Sequence, residues 1–547
     1  MRKITLFLLA TAFVNISFCQ LSISGKPRIN SQIKALVSAN INIEKPDLTE
    51  AIKYDNNPDN FYKMRRFGVI IPTEINFFNE AESFDVKEGK LWILKIKSDD
   101  AQALSLYFDN FFIPQGGELF IYDNNQEQIL GKYTSINNNE QGTFATELLY
   151  GDNLIMEYFQ PNDVKQEANM NINKLGYAYR DCEKNYKIGF NTSGSCNVNV
   201  NCSEGDDYRD EQRGVVKIQI TTYYSMGFCS GTLINNTQND LTPYILSAAH
   251  CVADVTANNY NDFIFYFNYE ASGCSQTTEP TPKTLLGSSL KAKGDYSDFL
   301  LMELKDSVPY SYNAYWNGWK KDDVASSSGV AIHHPGGDIK KISTYNQPLT
   351  PYTGDYPDRG NTHWLVYWSP TQNGFGITEG GSSGCPIFNS SGLVVGTLTG
   401  GLSACNNVPD NMKLDLFGKV SYSWESNGTS DNTKLQPFLD PTNSGVNELY
   451  GRNYQESSSL LEVDNEKTPF TIYPNPAKDE VFIDMSMQKH PTTLTIYDIY
   501  SREVKKEIIP QNTNSYKLDI STLYSGTFIL KFSTNNRNWT KKLIINP

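Results

Sequence analysis

The sequence predicts an all-β protein of several domains, and three features support this prediction. Short apolar runs, such as LWILKIKS at 91–98 and EVFIDM at 480–485, are separated by Asp, Asn, Gly and Pro, which is typical of strands joined by turns. A chain of 547 residues exceeds what one hydrophobic core supports, so about three or four domains are expected. Apart from Cys19, all cysteines lie between 182 and 405, which indicates one disulfide-braced domain with cysteine-free flanks.

The charge disfavours one class of partner. The chain has 47 Lys and Arg against 61 Asp and Glu, which gives a net charge of −14. Such acidity disfavours binding to nucleic acid and to anionic membranes, and it favours solubility. We therefore expect no nucleic-acid partner, and no pattern in the sequence predicts a metal or another cofactor.

Residues 1–19 are predicted to be an export signal peptide. Two basic residues precede an apolar run at 4–14, and the small residues Ser17 and Cys19 form a cleavage site before Gln20. A lipoprotein signal at Cys19 is the alternative, although Phe18 is bulky for one. No later segment reaches about 18 consecutive apolar residues, so none is expected to span a membrane.

Composition divides the rest of the chain into an N-terminal segment, a central domain, a linker and a tail. Strand-like runs occur on both sides of the cysteine-rich centre, and polar stretches separate them. The predicted bounds are 20–187 for an N-terminal segment with a β-sandwich at 67–165 and a polar connector at 166–187, 188–451 for the central domain, 452–468 for the linker, and 469–547 for a C-terminal β-sandwich.

The central domain contains the elements of a nucleophilic serine. A serine hydroxyl needs a base in contact with it and a third group that orients the base. His250 follows the apolar run of YILSAAHCV, and Asp298 precedes a strand in SDFLLMEL. A buried carboxylate needs a hydrogen-bonding partner, and an imidazole N–H can supply it. With Ser383 in GGSSGCPIF, the order is His, Asp, Ser, one of the known triad orders.

Three central motifs, AAHC, SDFLLMEL and GGSSGCP, resemble those of trypsin-like serine proteases with a chymotrypsin-like double β-barrel. SGSCNVNVNCSEGD at 193–206, AIHHP at 331–335 and DLFGK at 415–419 resemble more closely the bacterial lysyl endopeptidases. The resemblance covers nearly all of 190–450. A G-x-S-G match by itself is more often a glycine-rich turn.

The resemblance implies a role for each residue of the serine motif. Ser383 is the implied nucleophile, and the backbone N–H groups of Gly381 and Ser383 are the implied oxyanion hole. Ser382 occupies the variable position, where animal zymogens of this type have an Asp that receives a new N-terminus. We therefore expect no activation by that salt bridge.

Specificity is predicted to depend on Asp415. The position six residues before the nucleophile, where pancreatic trypsin-like enzymes select basic residues with an Asp, is Ile377. Lysyl endopeptidases select basic residues with an Asp from a later loop, and Asp415 matches the position of that Asp. The alternative is that Asp415 is a surface turn residue. Trp368 matches the aromatic neighbour of the catalytic histidine in that group, whereas Thr399 stands where they have a further histidine.

The resemblance also implies three disulfide bonds. These are Cys196–Cys405, Cys202–Cys274 and Cys229–Cys251, and the last would hold His250 in place. Cys182 and Cys385 remain, either free or joined to each other.

The flanking regions resemble a precursor segment and a secretion signal. The region at 67–165 resembles the N-terminal part of bacterial precursor proteases, and a Lys-selective enzyme could cut after Lys187 itself. The tail, with TIYPNPAKDEVFIDM and GTFILKFS, resembles the type A C-terminal sorting domain of the type IX secretion system. Alternatives are a substrate-binding module for 67–165 and a carbohydrate-binding or adhesive module for the tail.

Together these features predict a secreted serine endopeptidase that cleaves after Lys or Arg. We expect protein or peptide substrates, contact of the tail with secretion machinery, export across the outer membrane or attachment to the cell surface, and a monomer. The alternatives are a surface adhesin with an inert protease-like scaffold and a protease that prefers a non-basic residue before the scissile bond.

Overall fold

The computed structural model of the chain describes two compact units, Met1–Tyr454 and Gln455–Pro547, both built mainly of strands. Cys182, Lys187 and the signal peptide lie outside the described residues. Those residues are 22, 25–57, 64–180, 190–275, 279–354, 360–454, 470–485, 491–498, 503–511, 513–523, 526–534 and 538–546.

Among its described residues, the N-terminal region contains three short helices and eleven strands. The helices are α1 (Ser31–Leu36), α2 (Thr49–Asp55) and α3 (Phe77–Glu80). The strands are β1 (Asn40–Asn42), β2 (Arg65–Asn76), β3 (Glu82–Val86), β4 (Gly89–Lys97), β5 (Ala103–Phe112), β6 (Glu118–Tyr122), β7 (Ile129–Tyr133), β8 (Phe144–Ala145), β9 (Leu149–Tyr150), β10 (Asn153–Pro161) and β11 (Asn169–Ala178).

Two sheets of this region enclose one apolar core. One sheet has the order β1-β4-β10-β6-β7 with β3 on β4, and the other contains β2-β11-β5-β8. Leu94, Leu106 and Ile172 are fully buried in the shared core. The prediction of a polar connector at 166–187 is wrong for β11, because alternate apolar residues of β11 face this core and its backbone pairs with β2 and β5.

The second sheet continues into the central region. β2 pairs antiparallel with a strand of the central region, so that the N-terminal region and the central region share one twelve-stranded sheet. The pairing supplies hydrogen bonds to strand edges that would otherwise be open. Composition does not reveal this continuity, because the two paired strands are separated by about 150 residues in the sequence.

The central region contains nineteen strands and two short α-helices among its described residues. The strands are β12 (Val198–Asn199), β13 (Val215–Thr221), β14 (Ser225–Leu233), β15 (Tyr244–Ala248), β16 (Ile264–Phe267), β17 (Lys283–Leu286), β18 (Ser288–Gly294), β19 (Phe299–Leu304), β20 (Tyr315–Trp316), β21 (Trp319–Lys320), β22 (Gly329–His333), β23 (Lys341–Tyr345), β24 (Thr350–Pro351), β25 (His363–Tyr367), β26 (Pro386–Asn389), β27 (Val394–Gly401), β28 (Leu414–Lys419), β29 (Glu448–Leu449) and β30 (Arg452–Asn453). The helices are α4 (Val420–Glu425) and α5 (Gln436–Leu439).

These strands form two barrel-like sheets, which confirms the predicted chymotrypsin-like fold class. The first follows the order β17-β16-β13-β14-β15-β19-β18. The second follows the order β12-β23-β22-β26-β27-β28-β25-β24. Buried residues of both sheets, including Leu246, Phe299 and Phe388, meet in one core between them.

Short 3₁₀ turns connect many of these strands. They span Ser135–Asn137, Ser203–Tyr208, Glu211–Gly214, Ala249–Val252, Ala257–Asp262, Tyr310–Tyr312, Pro335–Gly337, Asp410–Met412 and Asp431–Thr433.

Three disulfide bonds brace the central region. Cys196–Cys405, Cys202–Cys274 and Cys229–Cys251 are bonded, which confirms the predicted pairing. Cys385 is a buried free thiol among the described residues, and burial raises the pKa of that thiol.

The C-terminal unit is a β structure with its own core, which confirms that part of the predicted fold class. Its strands are β31 (Phe470–Tyr473), β32 (Glu480–Met485), β33 (Thr492–Asp498), β34 (Glu503–Ile509), β35 (Ser515–Asp519), β36 (Gly526–Ser533) and β37 (Asn538–Ile545). They form the sheets β31-β32-β35 and β34-β33-β36-β37. Among the described residues of the whole chain, no helix is both long and apolar enough to cross a membrane.

Candidate active site

His250 lies immediately after a buried strand. β15 ends at Ala248, and the 3₁₀ turn Ala249–Val252 places the imidazole at the end of the first barrel sheet. The neighbouring Cys251 is bonded to Cys229 of β14, so the turn is fixed covalently to the sheet. The His250 side chain is 13% exposed.

Asp298 orients this histidine through two hydrogen bonds. Its Oδ1 accepts from the backbone N–H of His250 at 2.8 Å, and its Oδ2 lies 2.7 Å from Nδ1 of the ring. Asp298 has a φ of +55°, a left-handed conformation that is uncommon for a residue with a side chain. This conformation at Asp298 directs the carboxylate towards the turn that contains His250, and β19 begins at the next residue, Phe299.

The environment keeps Asp298 ionised. Burial raises the pKa of this carboxyl, but the attraction of His250 and the hydrogen bonds from His250 and Thr399 outweigh it, and the pKa is lowered. An ionised carboxylate only accepts hydrogen bonds, so Nδ1 of His250 holds the ring proton. Nε2 is thereby left as the free base on the opposite side of the ring.

A second buried histidine, His363, is linked to Asp298 by hydrogen bonds through Thr399. The hydroxyl of Thr399 hydrogen-bonds Asp298, and the same hydroxyl lies 2.9 Å from Nε2 of His363. Since Thr399 donates its only proton to the carboxylate, His363 must donate to Thr399. The relay therefore runs from His363 through Thr399 to Asp298, and every proton points towards the carboxylate.

Ser383 lies against the segment that contains His250. Its carbonyl accepts the backbone N–H of Ser230 at 2.8 Å. The following Gly384 has a φ of +80°, and a Cβ there would be 2.2 Å from Oγ of Ser247 and 2.7 Å from the backbone N of Ala248. Only glycine permits this approach, so the turn with Ser383 is packed directly on the strand that precedes His250.

The last link of the predicted triad is not hydrogen-bonded in this structure. Ser383 is 8% exposed. Nε2 of His250 is buried, and among the described residues it has no hydrogen-bond partner. Long serine–histidine contacts are common in catalytic sites without substrate and tighten when substrate binds.

The turn before Ser383 directs two backbone donors away from the protein interior. The carbonyl of Gly380 accepts the N–H of Gly336 at 2.7 Å, and the carbonyl of Ser382 accepts the N–H of Cys385 at 2.9 Å. In a trans peptide the N–H points opposite to the carbonyl. The N–H groups of Gly381 and Ser383 therefore face away from those partners, as an oxyanion hole requires.

The backbone conformation at position 381 requires a glycine. Its φ is +99°, and a Cβ there would lie 2.9 Å from backbone atoms of His334 and Gly337. Ser230 fixes the next carbonyl, because its hydroxyl donates to the oxygen of Gly381 at 2.9 Å while accepting the N–H of His334 at 3.0 Å. The turn at Pro335–Gly337 is thus the support of the predicted oxyanion hole.

Asp415 is buried at the end of a different strand. It is 1% exposed on β28. Its Oδ2 accepts hydrogen bonds from Trp368 Nε1 at 2.6 Å, Thr378 Oγ1 at 2.7 Å and Ser403 Oγ at 2.6 Å. Burial raises the pKa of this carboxyl, and the three donors lower it again only in part, so the pKa stays raised. Asp415 is therefore a buried carboxyl group held by polar donors, and not the surface turn residue of the alternative.

The environment of Asp415 includes other residues that the sequence singled out. Trp368 donates to Asp415 and packs edge-on against Phe417 with ring centroids 6.0 Å apart. Ile377 is fully buried. Glu379 accepts from the backbone of Gly194 at 3.0 Å, so its charge is directed to the start of the central region and not towards Asp415.

Three residues that support the site, His363, Thr399 and His333, were not given that role from the sequence. His363 and Thr399 were not connected with Asp298, because β25 and β27 do not pair with each other and lie on either side of β28 in the sheet. His333 was assigned no role, although AIHHP was noted as a motif. The motif was the available signal, since two adjacent fully buried histidines need partners. Among the described residues, no group of three or more His, Cys, Asp or Glu side chains could hold a metal ion.

Comparison with known proteins identifies two regions of the chain. Residues 190–418 match the family described as "Lysyl endopeptidase, C-terminal domain", and residues 471–546 match the "Secretion system C-terminal sorting domain". A curated "Lysyl endopeptidase" of Pseudomonas aeruginosa is 29% identical over 306 residues, which are 53% of this chain and 63% of that protein. The match therefore spans less than two thirds of the length of this relative.

A solved structure was also found, "Crystal Structure of Protease Anisep from Arthrobacter Nicotinovorans". It is 16% identical and covers 38% of this chain and 90% of that chain, with a TM-score of 0.28. At this score it adds nothing to the fold described above. The match of residues 471–546 indicates export by the secretion system that the sorting domain serves. The chain is thus lysyl-endopeptidase-like in its central region and has a secretion-system sorting domain at residues 471–546.

Proposed function

We propose that the protein is a secreted serine endopeptidase that hydrolyses peptide bonds after Lys or Arg through His250, Asp298 and Ser383. The observation that supports this most is the hydrogen bond of His250 to Asp298, with Nδ1 and Oδ2 2.7 Å apart, beside the glycine-bounded turn that contains Ser383. A merely structural histidine has no need of a buried carboxylate, a free Nε2 and an adjacent serine in a glycine-bounded turn.

Acylation follows from this arrangement. Oγ of Ser383 attacks the substrate carbonyl carbon, and Nε2 of His250 accepts the hydroxyl proton. Asp298 stabilises the imidazolium that forms. The N–H groups of Gly381 and Ser383 bind the developing oxyanion, and one such donor is typically worth about 10²–10³ in rate. The tetrahedral intermediate collapses when His250 returns its proton to the leaving amine, and an acyl-enzyme on Ser383 remains.

Deacylation repeats the same steps with water. His250 takes a proton from the water as the oxygen attacks the ester carbon, and the second tetrahedral intermediate uses the same two N–H groups. His250 then protonates Oγ of Ser383, which releases the carboxylic acid product.

Asp415 would select the residue before the scissile bond. An alkylammonium or guanidinium group that leaves water loses several kcal/mol of hydration unless an opposite charge meets it. Asp415 offers that charge in a site lined by Trp368 and Phe417. The three donors on Oδ2 hold the carboxylate in position. Among the described residues, Oδ1 accepts one hydrogen bond, from the backbone N–H of Ser403 at 3.3 Å, and it is therefore the better acceptor for a substrate cation.

The other regions complete the proposal. The N-terminal segment 20–187 acts as a propeptide, and a cut after Lys187, which lies outside the described residues, would release it. The substrates are proteins or peptides, the sorting domain is the partner of the secretion machinery, and the mature enzyme is a monomer.

A serine-reactive fluorophosphonate probe tests the activity. The secreted, processed protein should be labelled on Ser383, and mass spectrometry of a mixed-protein digest should show cleavage after Lys or Arg. Ser383→Ala should lose labelling, whereas the exposed Ser391→Ala is the matched control and should keep it. Absence of labelling in folded, processed wild-type protein would favour the inert, adhesive alternative.

A further inference from the structure

The N-terminal region lies beside the candidate active site through one strand pairing. The first residues of β2 pair antiparallel with β14 in the register Arg65↔Phe228, Arg66↔Gly227 and Gly68↔Met226. The next residue of β14 is Cys229, whose disulfide leads to Cys251, the neighbour of His250. The N-terminal region therefore adds a strand to the first half of β14, which does not pair with β15, next to the catalytic histidine.

Met64 covers the histidine itself. It is 8% exposed and packs in the core that contains Cys229, Ala248 and Cys251. A small cavity with His250 in its wall is lined on the N-terminal side by Tyr54, Met64 and Arg66. The free Nε2 of His250, the atom that must exchange protons with Ser383 and with the leaving amine, is buried.

Arg65 contacts the opposite side, where the oxyanion turn begins. A Cβ on Gly380 would lie 3.0 Å from both Cβ and Cδ of Arg65. Gly380 directly precedes Gly381, one of the two proposed oxyanion donors. Two consecutive residues, Met64 and Arg65, thus touch both the histidine side and the serine side of the proposed site.

Buried contacts hold this strand in place. Phe67 stacks on Phe228 with ring centroids 4.3 Å apart. Arg66 donates to Asp55 at 2.9 Å, and Asp55 also accepts from Tyr179 at 2.5 Å and pairs with Arg180 at 3.4 Å. The Asp55 side chain is only 5% exposed. The end of α2, the start of β2 and the end of β11 are therefore joined by one carboxylate.

We infer that residues 64–68 occupy the peptide-binding edge of the protease domain as an intramolecular strand, and that they keep the intact chain inactive towards protein substrates. This inference rests on the proposed function. An added antiparallel strand is a general mode of peptide binding, with backbone hydrogen bonds for affinity and side-chain pockets for specificity. The occupant belongs to the same chain, so its effective concentration is on the order of millimolar, and a protein substrate must displace it.

The inference predicts that cutting the chain between the two regions is not sufficient for activity. A cut in 181–189 leaves the pairing of β2 with β14 intact. Arg65, Arg66 and Phe67, which hold β2 in place, all lie before the cut and keep their contacts. Activity should appear only when the N-terminal region dissociates or is degraded.

The test measures the rate of fluorophosphonate labelling of Ser383 in the intact chain, with its length verified by mass spectrometry, and in the processed enzyme. Lys187→Gln, together with Lys63→Gln at the lysine that precedes Met64, is used to keep the chain intact. The intact wild type should be labelled at least about tenfold more slowly than the processed enzyme. Two variants should each speed labelling of the intact chain. Met64→Asp places a charge in an apolar contact, and Asp55→Asn weakens three contacts. Asp85→Asn, at an exposed carboxylate of the same region, is the matched control and should remain slow.

The outcomes separate this inference from the proposed function. Once the N-terminal region has been removed, all variants are the same molecule, and equal rates of labelling show that the protease domain folded. Equal labelling of intact and processed wild type would overturn the inference and leave the endopeptidase in place. The inference would also be overturned if the intact chain were labelled slowly and neither Met64→Asp nor Asp55→Asn increased the rate of labelling. No labelling of processed enzyme would instead contradict the proposed function.

Discussion

Ser382 donates a hydrogen bond to Nδ1 of His333, with the two atoms 2.7 Å apart, beneath the turn that contains Ser383. The direction follows from the neighbouring contacts. Ser343 donates its proton to the carbonyl of Ile377 at 3.0 Å, so it accepts from Nε2 of His333 at 2.9 Å. Nδ1 is then the acceptor. Burial lowers the pKa of His333 to about 3, so a neutral contact holds the serine turn at the position where the Asp of animal zymogens receives the new N-terminus after cleavage.

This contact gives different expectations for the two adjacent serines. Ser383→Ala should abolish peptidase activity, because it removes the nucleophile. Ser382→Ala should keep most of the activity but lower the free energy of unfolding by about 1–3 kcal/mol, since Nδ1 of His333 is left buried and unpaired. Steady-state kinetics and denaturant unfolding measure the two effects. A comparable loss of kcat in both variants would show that the serine register is wrong.

Asp298→Asn should preserve the fold and remove most of the turnover. The amide can donate to Nδ1 of His250, which favours the tautomer with the proton on Nε2 and removes the base. By analogy with the worked triad of another protease, kcat should fall by about 10⁴. Thr399→Val, which removes only the relay from His363, should cost much less. Near-normal turnover of Asp298→Asn would exclude Asp298 from the mechanism.

Asp415→Asn should lose cleavage after basic residues by two or more orders of magnitude in kcat/KM. The neutral amide cannot compensate the hydration that a Lys side chain loses in this buried site. A substrate with a small neutral residue before the scissile bond should be nearly unaffected. Asp410→Asn, at an exposed carboxylate five residues earlier, is the control. Unchanged Lys cleavage in Asp415→Asn, or wild-type cleavage mainly after Glu or aromatic residues, would refute the pocket assignment.

The raised pKa of Asp415 predicts a pH effect on specificity. A carboxyl with a raised pKa loses its charge at a higher pH than an ordinary Asp, whose value is 3.8. The ratio of kcat/KM for a Lys substrate to that for a neutral substrate should therefore fall as the pH is lowered, with a midpoint above 3.8. Any effect of pH that is common to both substrates cancels in the ratio. The ratio should not change with pH in Asp415→Asn.

The position of Met64 predicts a cleavage by the protein itself. The residue that follows a scissile bond must lie beside His250, which protonates its amine, and Met64 lies there. The preceding residue in the sequence is Lys63, which itself lies outside the described residues. We expect a product that begins at Met64, detected by N-terminal mass spectrometry. It should be absent in Ser383→Ala and in Lys63→Gln, and its persistence in Ser383→Ala would point to another protease.

Local patterns determined much of this protein. Alternation of apolar and polar residues between turn residues predicts strands regardless of their partners, and the all-β fold was confirmed in the central region and the tail. The three disulfide bonds followed from motifs that resemble a known family, and the structure forms them. The same motifs named His250, Asp298 and Ser383, and the structure brings the first two into contact.

Contacts between distant segments were decided only by the tertiary structure. β2 pairs with β14, and His363 supports Asp298 through Thr399, because the order of strands in the sheets brings together segments that are distant in sequence and have no local signature. β11 was mistaken for a connector because Asn169, Asn171 and Asn173 alternate with its apolar residues, and such a strand is recognised only by the sheet on each side of it. Composition also indicated a separate N-terminal domain, but backbone pairing made it part of the protease sheet, since open strand edges form hydrogen bonds with whichever strand the fold places beside them.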